Sequence, residues 1–261
     1  MLDTQDADEI VRIVKAIAPA FGGINLEDIA APRCFDIEKR LIAALDIPVM
    51  HDDQHGTAIV VLAGLTNAAK VAKKNFKTLK VVISGAGAAG TAVAKLLLAA
   101  GIKNIILLDR KGTIYRGRAA LNTHKAELAR LTNPRRVKGD LKEAMHSTDV
   151  FIGVSGKGLL KREHVASMAP RGIVFAMANP DPEILPDEAR KAGALVIATG
   201  RSDYPNQINN ALVFPGIFRG ALDTGVKKIT EAIKLRAARA LAALVGKPTA
   251  AKIIPDLLDP R

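Results

Sequence analysis

A glycine-rich loop between a strand pattern and a helix pattern constrains the fold of this chain more than any other feature. The apolar run KVVIS (80–84) leads directly into GAGAAG (85–90), and an Ala/Leu-rich helix pattern follows. Gly85 permits a tight turn, Gly87 lets a ligand approach the backbone, and Gly90 allows close packing of helix on strand. The free N–H groups at such a helix start favour phosphate. The cofactor-binding residues predicted in this loop are Gly85, Gly87, Ala88, Ala89 and Gly90.

An acidic residue closes the next strand pattern, NIILLD (104–109). Asp109 lies about 20 residues beyond Gly90, which is the separation typical of dinucleotide-binding loops. Its carboxylate can accept hydrogen bonds from ribose hydroxyls, which favours NAD. The adjacent cations Arg110 and Lys111 offer a partner to a 2′-phosphate, which favours NADP. The pattern therefore predicts NAD or NADP and leaves the choice open; the alternative is a tight Gly/Ala turn without a ligand.

Strand and helix patterns alternate along the rest of the chain. Apolar strand patterns cover 149–154, 173–178 and 194–199, with helix patterns between them and a long one from about 225 to 245. Nearly all strand positions are apolar, which is typical of a parallel sheet covered on both faces. We predict an α/β fold, a doubly wound parallel sheet of the Rossmann type, with extra flanking helices such as DADEIVRIVKAIAP (6–19).

Composition narrows the class of protein. The 261 residues are 49% hydrophobic and 25% charged, which is an ordinary globular balance and excludes a mostly disordered chain. The acidic amino terminus does not resemble a secretory signal, and no apolar run reaches the length of a membrane span. The single cysteine, Cys34, excludes an internal disulfide and a cysteine-based zinc site. We expect a cytoplasmic protein without a membrane partner.

The net charge of +12 raises the question of a nucleic-acid partner. The basic residues are spread along the chain, apart from short clusters at 70–77 and 133–138. Seven phenylalanines, two tyrosines and no tryptophan leave few stacking platforms for bases. We therefore expect no nucleic-acid partner.

Two pairs of adjacent carboxylates interrupt segments that otherwise look apolar and buried. Glu27 and Asp28 form one pair, and Asp52 and Asp53 form the other. If the pairs cluster, a hard divalent cation, Mg²⁺ or Mn²⁺, is the natural counter-charge. The alternative is structural: an aspartate of either pair can cap a turn or a helix start.

The second pair lies in HDDQHG (51–56), between a short strand pattern at 47–50 and a long apolar helix pattern at 57–74. Its polar composition predicts a turn. His51 and His55 would be spaced as ligands only on a helix, so we expect both to be structural.

Eight separated blocks, taken in order, resemble the carboxyl-terminal part of bacterial malic enzymes, which oxidatively decarboxylate malate. The resemblance extends over essentially the whole chain. The blocks are FGGINLEDI, PVMHDDQHGTA, VVISGAGAAG, ILLDRKG, DVFIGVSG, FAMANPDPEI, ATGRSDYPNQINN and FPGIFRGALD.

The resemblance implies roles for particular residues. Asp52 matches a carboxylate that interacts with a catalytic lysine, and Asn210 matches an amide that binds the substrate carboxylate. Asn179 matches an amide at the cofactor and the substrate, and Ser155 lies on a loop that lines the cofactor site. The implied metal ligands are Glu27, Asp28 and Asp53.

The resemblance also implies a domain organisation. Residues 55–261 correspond to the NAD(P)-binding domain, and residues 1–54 to a remnant leading segment that carries the metal ligands. Family members place a tyrosine acid and a lysine base in a preceding domain, and neither Tyr115 nor Tyr204 matches that tyrosine's motif. We therefore expect little or no malic enzyme activity from the isolated chain. The expected partners are malate or pyruvate, further copies in a homo-oligomer, or a separate domain or chain.

Two other functions fit parts of the sequence. A non-catalytic nucleotide-binding module needs only the glycine loop. A dehydrogenase acting on amino acids shares the fold but needs no metal, so the carboxylate pairs argue against it.

Overall fold

The chain folds as an α/β protein with one large and one small sheet. The structure is a computed structural model that describes residues 2–257 and 259. Its strands are β1 (Ile24–Leu26), β2 (Val49–His51), β3 (Lys80–Ser84), β4 (Asn104–Asp109), β5 (Gly112–Thr113), β6 (Val150–Gly153), β7 (Gly172–Ala176) and β8 (Ala194–Thr199). Its helices are α1 (Ala7–Ile17), α2 (Arg33–Ala44), α3 (Asp52–Val71), α4 (Ala88–Ala99), α5 (Thr123–Leu131), α6 (Leu141–Met145), α7 (Arg162–Ala166), α8 (Pro186–Lys191), α9 (Phe214–Thr224) and α10 (Glu231–Ala243).

The large sheet has the strand order β5-β4-β3-β6-β7-β8. All its pairings are parallel except that of β4 with the two-residue strand β5, which the sequence did not predict. The chain passes from β3 to β4 on one side and then returns to β6 on the other side of β3. The loops after β3 and β6 therefore part at this point, which in doubly wound sheets is where ligands bind. The predicted doubly wound fold is confirmed.

Both faces of the large sheet are covered. Alternate strand residues point to opposite faces, so Val81 and Ile83 join one hydrophobic cluster while Val82 joins another. The first cluster includes apolar residues of α3, α4 and α10, and the second includes those of α6, α7 and α8. The apolar strand pattern was therefore a correct signal for a sheet buried on both sides.

Within the leading segment, residues 7–51 build a small unit beside the large sheet. Strands β1 and β2 pair in parallel, and α1 and α2 pack together with them. Asp6 caps α1 by accepting a hydrogen bond from the backbone N–H of Glu9 at 2.8 Å. The hydrophobic cluster of this unit comprises Ile10, Val11, Val14, Leu26, Ile37, Leu41 and Val49.

Two sequence predictions of local structure were wrong. The segment HDDQHG is not a turn, because β2 continues through His51 and α3 begins at Asp52. Carboxylates are favourable in a first helical turn, so the same polar residues suit a helix start. The last helix begins at Glu231 rather than near 225, since Gly225 adopts φ 65° and ends the preceding helix α9.

In the part of the chain that the structure describes, no helix combines the length and the apolar character needed to cross a bilayer.

Candidate functional site

A cleft of about 910 Å³ opens at the carboxyl ends of β3, β4 and β6. We call it the edge cleft. It lies where the chain reverses direction across the sheet, and its volume is in the range of small-molecule sites. One wall comes from the leading segment. The residues that define it include Ala31, Pro32, Phe35, Ser84, Gly85, Gly87, Asp109, Arg110, Lys111, Arg118, His124, Lys125, Asp140, Val154, Ser155 and Leu159.

The glycine loop has the geometry that its sequence predicts. Gly85 adopts φ 114°, and a side chain there would lie 2.6 Å from the carbonyl oxygen of Val154. A side chain at Gly90 would collide with the carbonyl oxygen of Gly85, whereas nothing lies within 4 Å of a side chain placed at Gly87. Gly85 and Gly90 therefore make the turn possible, and the space at Gly87 leaves the backbone open to a ligand.

Helix α4 presents its amino end to this loop. It begins at Ala88, with Gly87 as a cap that has no side chain. The first N–H groups of a helix have no intrahelical acceptor, so those of Ala88 and Ala89 are available to an anion. Cofactor binding by Ala88 and Ala89 stays a prediction.

Asp109 is held by two cations. Arg118 Nη2 donates to both carboxylate oxygens at 2.8 Å, Lys125 Nζ donates to Oδ2 at 2.6 Å, and the backbone N–H of Lys111 donates to Oδ1 at 2.9 Å. Burial acts to raise the pKa of Asp109, but the hydrogen bonds from Lys125 and Arg118 outweigh it, and the pKa lies below its ordinary value. The carboxylate is thus an internal counter-ion as well as a candidate ribose acceptor.

Sequence reasoning missed Arg118 and Lys125. It considered only the adjacent cations, Arg110 and Lys111, which are exposed and line the edge cleft as predicted. Arg118 lies on the irregular stretch after β5 and Lys125 in the first turn of α5, 9 and 16 residues beyond Asp109, and no sequence pattern predicts that they return to it.

Asp52 and Asn210 are brought together from distant parts of the chain. Asn210 Nδ2 donates to Asp52 Oδ2 at 2.7 Å. Asp52 is 1% exposed, and its other oxygen, Oδ1, is buried without a hydrogen-bond partner. A side chain at Gly56, one turn along α3, would collide with this oxygen and lie 3.0 Å from Asn210 Cβ. Gly56, which sequence reasoning also missed, therefore makes room for the pair.

The four predicted carboxylates meet at one edge of the small sheet. Leu26 pairs with His51 in parallel register, so the residues that follow β1 and β2 lie side by side. The backbone N–H of Asp28 donates to Asp53 Oδ2 at 2.9 Å. We call Glu27, Asp28, Asp52 and Asp53 the carboxylate cluster.

Burial differs between the two carboxylate pairs. Burial first, and then the charges of Glu27 and Asp53, raise the pKa of Asp52 to about 6. Glu27 and Asp28, by contrast, are exposed. They follow a three-residue strand at the surface, so water solvates them directly.

The carboxylate cluster fits a hard divalent cation in its chemistry. Every donor is a carboxylate oxygen, and Asp52 Oδ1 is a buried acceptor with an unused lone pair. Within residues 2–257 and 259, however, no three side chains of His, Cys, Asp or Glu are already arranged to hold a metal ion. Ligation by Glu27, Asp28 and Asp53 therefore stays a prediction.

Both histidines of HDDQHG lie beside the carboxylate Glu38 of α2. Glu38 accepts from the backbone N–H of His51 at 2.8 Å and from Gln54 Nε2 at 3.1 Å, and His55 Nε2 lies 3.0 Å from it. His55 is on a helix, contrary to our prediction, but its ring is already engaged. The side chains of Glu38 and His55 thus anchor the start of α3 to α2.

Ser155 and Asn179 follow neighbouring strands. Ser155 lines the edge cleft, and its Oγ lies 3.0 Å from Oγ of Ser84. Asn179 is exposed and lies outside the residues that line the cleft. Between these two loops lies a buried carboxylate, Glu183, that sequence reasoning did not single out.

Comparison with protein families gives two matches. The family described as malic enzyme, NAD binding domain, matches residues 54–260, and the family described as malic enzyme, N-terminal domain, matches residues 3–42. Most of the leading segment thus matches the N-terminal domain of that family.

Relatives and solved structures agree with these matches. The NAD-dependent malic enzyme of Geobacillus stearothermophilus is 61% identical over 94% of this chain and 51% of its own length. The NADP-dependent malic enzyme of Rhizobium meliloti is 53% identical over 93% of this chain and 32% of its own length. The chain thus spans about half or less of these two relatives.

The crystal structure of NAD-dependent malic enzyme from Thermotoga maritima superimposes with a TM-score of 0.96 at 48% identity, over 99% of this chain and 68% of that one. Family match, sequence identity and fold lead to the same conclusion: the chain belongs to the malic enzyme family.

Proposed function

We propose that this chain forms the dinucleotide-binding and divalent-metal-binding portion of a malic enzyme, which oxidises malate and decarboxylates it to pyruvate and CO₂. The observation that carries the proposal is the Asn210–Asp52 hydrogen bond. It joins an amide that suits a substrate carboxylate to a carboxylate cluster that suits a divalent cation. A protein that only bound nucleotide would need neither group.

The edge cleft supplies the cofactor site of this proposal. The amino end of α4 receives the pyrophosphate of NAD or NADP, and Gly87 allows its close approach. Asp109 lies at the ribose end, where Arg118, Lys125, Arg110 and Lys111 bring four cations around one carboxylate. This surplus of positive charge suits a 2′-phosphate as well as a ribose hydroxyl, so both cofactors remain in the proposal.

The carboxylate cluster supplies the metal site. Glu27, Asp28 and Asp53 would hold Mg²⁺ or Mn²⁺, and the cation would supply Lewis-acid chemistry for the oxidation and decarboxylation of malate. Asn210 and Asn179 orient substrate carboxylates as neutral donors, so that they do not compete with the cation. Asp52 fixes the direction of the Asn210 amide through its Oδ2.

The rate of malate oxidation that we expect from the isolated chain depends on proton transfer. Both tyrosines of the chain lie under cationic side chains. The ring centroid of Tyr115 is 5.4 Å from Lys138 Nζ, and that of Tyr204 is 5.6 Å from the guanidinium carbon of Arg201. Neither tyrosine lines the edge cleft. A positioned acid or base is worth about 10²–10⁴-fold in rate. We therefore propose that the chain alone binds the cofactor and has little or no malic enzyme activity.

The test measures binding and turnover on the same sample. Calorimetric titration with NAD⁺ and then NADP⁺ measures the cofactor site, and Mn²⁺ titration followed by electron paramagnetic resonance measures the metal site. Malate-dependent formation of reduced nicotinamide, followed by absorbance, measures turnover. Asp53→Asn should weaken Mn²⁺ binding, whereas Asp187→Asn on α8, in an exposed ion pair with Arg190, should not.

Each outcome has a distinct meaning. Turnover at ordinary enzyme rates would show that the acid and base lie within these residues. Dinucleotide binding without Mn²⁺-dependent malate binding would favour the alternative, a non-catalytic nucleotide-binding module. Absence of dinucleotide binding would refute the proposal. A homo-oligomer also remains our expectation, and sedimentation velocity would test it.

A further inference from the structure

Glu183 is a completely buried carboxylate that belongs to no ion pair in the described part of the chain. It is 0% exposed and lies between β7 and α8. Its Oε1 accepts from the backbone N–H of Ser155 at 3.0 Å and lies 3.4 Å from Ser155 Oγ. Its Oε2 accepts from the backbone N–H of Ala178 at 3.0 Å. No ion pair to Glu183 occurs among the residues that the structure describes.

These hydrogen bonds connect three adjacent strands at one edge of the sheet. Ser155 follows β6, Ala178 follows β7, and Ser155 Oγ reaches Oγ of Ser84, the last residue of β3. A backbone hydrogen bond also connects the loops after β6 and β7, because the N–H of Leu160 donates to the carbonyl oxygen of Glu183 at 3.1 Å. One carboxylate thus links the loops that follow β6 and β7, and Ser155 connects them to the last residue of β3.

The chain makes room for this carboxylate at Gly153, the last residue of β6. A side chain at Gly153 would lie 2.5 Å from Oε1 and 2.6 Å from Oε2 of Glu183. The cost of burying a carboxylate is substantial unless its hydrogen bonds are made. A buried carboxylate that binds two backbone N–H groups and one hydroxyl, with no cation beside it among the described residues, is more costly than an apolar residue, so stability alone does not explain it.

We propose that Glu183 is a positioning residue for the dinucleotide. It holds Ser155 in the wall of the edge cleft, and it holds Ala178 so that the next residue, Asn179, is presented at the same edge of the sheet. Without it, the N–H groups of Ser155 and Ala178 lose their acceptor and the two loops lose their fixed positions. The inference rests on the proposed function, because it assigns a role at the same cofactor site.

The test compares two carboxylates at opposite ends of β6. Glu183→Gln preserves volume but places an NH₂ group against an N–H donor. Asp149→Asn is the control away from the cleft, since Asp149 precedes β6 and accepts from the backbone N–H of Lys80 at 2.8 Å and from Lys74 Nζ at 2.7 Å. Urea unfolding of each variant defines conditions in which it is folded, and the Kd for NAD⁺, NADP⁺ and Mn²⁺ is measured there.

We expect Glu183→Gln to raise the dinucleotide Kd about tenfold, which is the effect of losing one hydrogen bond to a charged group. Its Mn²⁺ Kd should stay within about twofold of that of the unaltered chain, and Asp149→Asn should leave both Kd values within about twofold. Faster hydrogen exchange at the Ser155 and Ala178 amides should accompany the loss in Glu183→Gln alone.

Unchanged dinucleotide affinity in folded Glu183→Gln, with normal binding by the unaltered chain, would overturn the inference and leave the proposed function intact. Failure of the unaltered chain to bind either dinucleotide would overturn both. If Glu183→Gln does not fold, Glu183→Asp takes its place. This shorter carboxylate cannot reach both loops, so an unchanged Kd there would also overturn the inference.

Discussion

Asn210 Nδ2 donates to Asp52 Oδ2 at 2.7 Å across a separation of 158 residues. Asn210 begins a short 3-10 helix, Asn210–Leu212, that packs against α3, and Asp52 is the first residue of α3. Among the described residues Asp52 Oδ1 has no hydrogen-bond partner, so the bond from Asn210 orients this buried carboxylate. The candidate substrate site is therefore assembled from two distant parts of the chain.

Replacement of Gly56 should disturb this pair. In Gly56→Ala the added methyl group would collide with Asp52 Oδ1. Alanine favours a helix over glycine by about 1 kcal/mol, but we expect the collision to outweigh that gain. The free energy of unfolding should fall by about 1–3 kcal/mol, as measured by urea denaturation.

Gly220→Ala is the matched control for this prediction. Gly220 lies within α9, and nothing lies within 4 Å of a side chain placed there. This variant should be neutral or more stable by up to about 1 kcal/mol. Equal stability changes in the two variants would contradict the assignment of Gly56 to the Asp52–Asn210 pair.

Asp109→Asn should shift cofactor preference towards NADP. The change removes the negative charge that faces a 2′-phosphate and releases Arg118 and Lys125, which Asp109 now holds. We expect the ratio of NADP⁺ affinity to NAD⁺ affinity to rise about tenfold, measured by calorimetric titration. An unchanged ratio would show that the ribose end of the dinucleotide does not lie at Asp109.

Asp109 should also make the free energy of unfolding depend on pH. The pKa of Asp109 is below its ordinary value, so the folded state binds its proton less readily than the unfolded state. Its contribution to stability is present above the unfolded pKa of about 4 and is lost as the pH falls through the folded pKa. The deficit in the free energy of unfolding of Asp109→Asn should therefore shrink on acidification, in urea titrations at successive pH values. A constant deficit would contradict this prediction.

Removal of Glu38 should destabilise the start of α3. Glu38→Ala leaves the backbone N–H of His51 and the side chains of Gln54 and His55 without their acceptor. We expect a loss of about 3 kcal/mol in the free energy of unfolding, since each unsatisfied buried group costs about 1–3 kcal/mol. Thermal and urea denaturation would measure it.

Asp36→Ala, on the same helix α2, is the control. Asp36 is exposed and pairs with Arg40 one turn away. Such surface pairs contribute about 0–1 kcal/mol, so this variant should behave nearly like the unaltered chain. If both substitutions on α2 cost the same, the anchoring role of Glu38 would be wrong.

The fold was predictable because its signals are local. KVVIS, NIILLD and ALVIAT are apolar runs of strand length, and each forms a strand at the expected place. The glycine loop was predictable for the same reason, since Gly85 and Gly90 are needed by the backbone within the loop itself. Short-range sterics and side-chain alternation are written in consecutive residues.

The partners of the site residues were not predictable, because they depend on distant contacts. The polar composition of HDDQHG predicted a turn. In the structure this segment leads into α3, and the carboxylate of Glu38 on α2 accepts hydrogen bonds from its His51 and Gln54. Nothing in the segment PDPEILP (180–186) distinguishes Glu183 from an ordinary acidic residue. Only the fold shows that its carboxylate accepts hydrogen bonds from the backbone N–H groups of Ser155 and Ala178. Charge pairing across the fold leaves no periodic trace in a sequence.

Phe35 of α2 forms part of the wall of the edge cleft and contacts the ring of His124, with ring centroids 4.7 Å apart. The helix that carries Phe35 belongs to the hydrophobic cluster of the leading segment, whereas the opposite wall belongs to the large sheet. A molecule that fills the cleft therefore touches both units, and its binding free energy adds to the attachment between them. By thermodynamic linkage, detaching the leading segment should become harder when the cleft is filled, and the residence time of the ligand should depend on how often the two units separate.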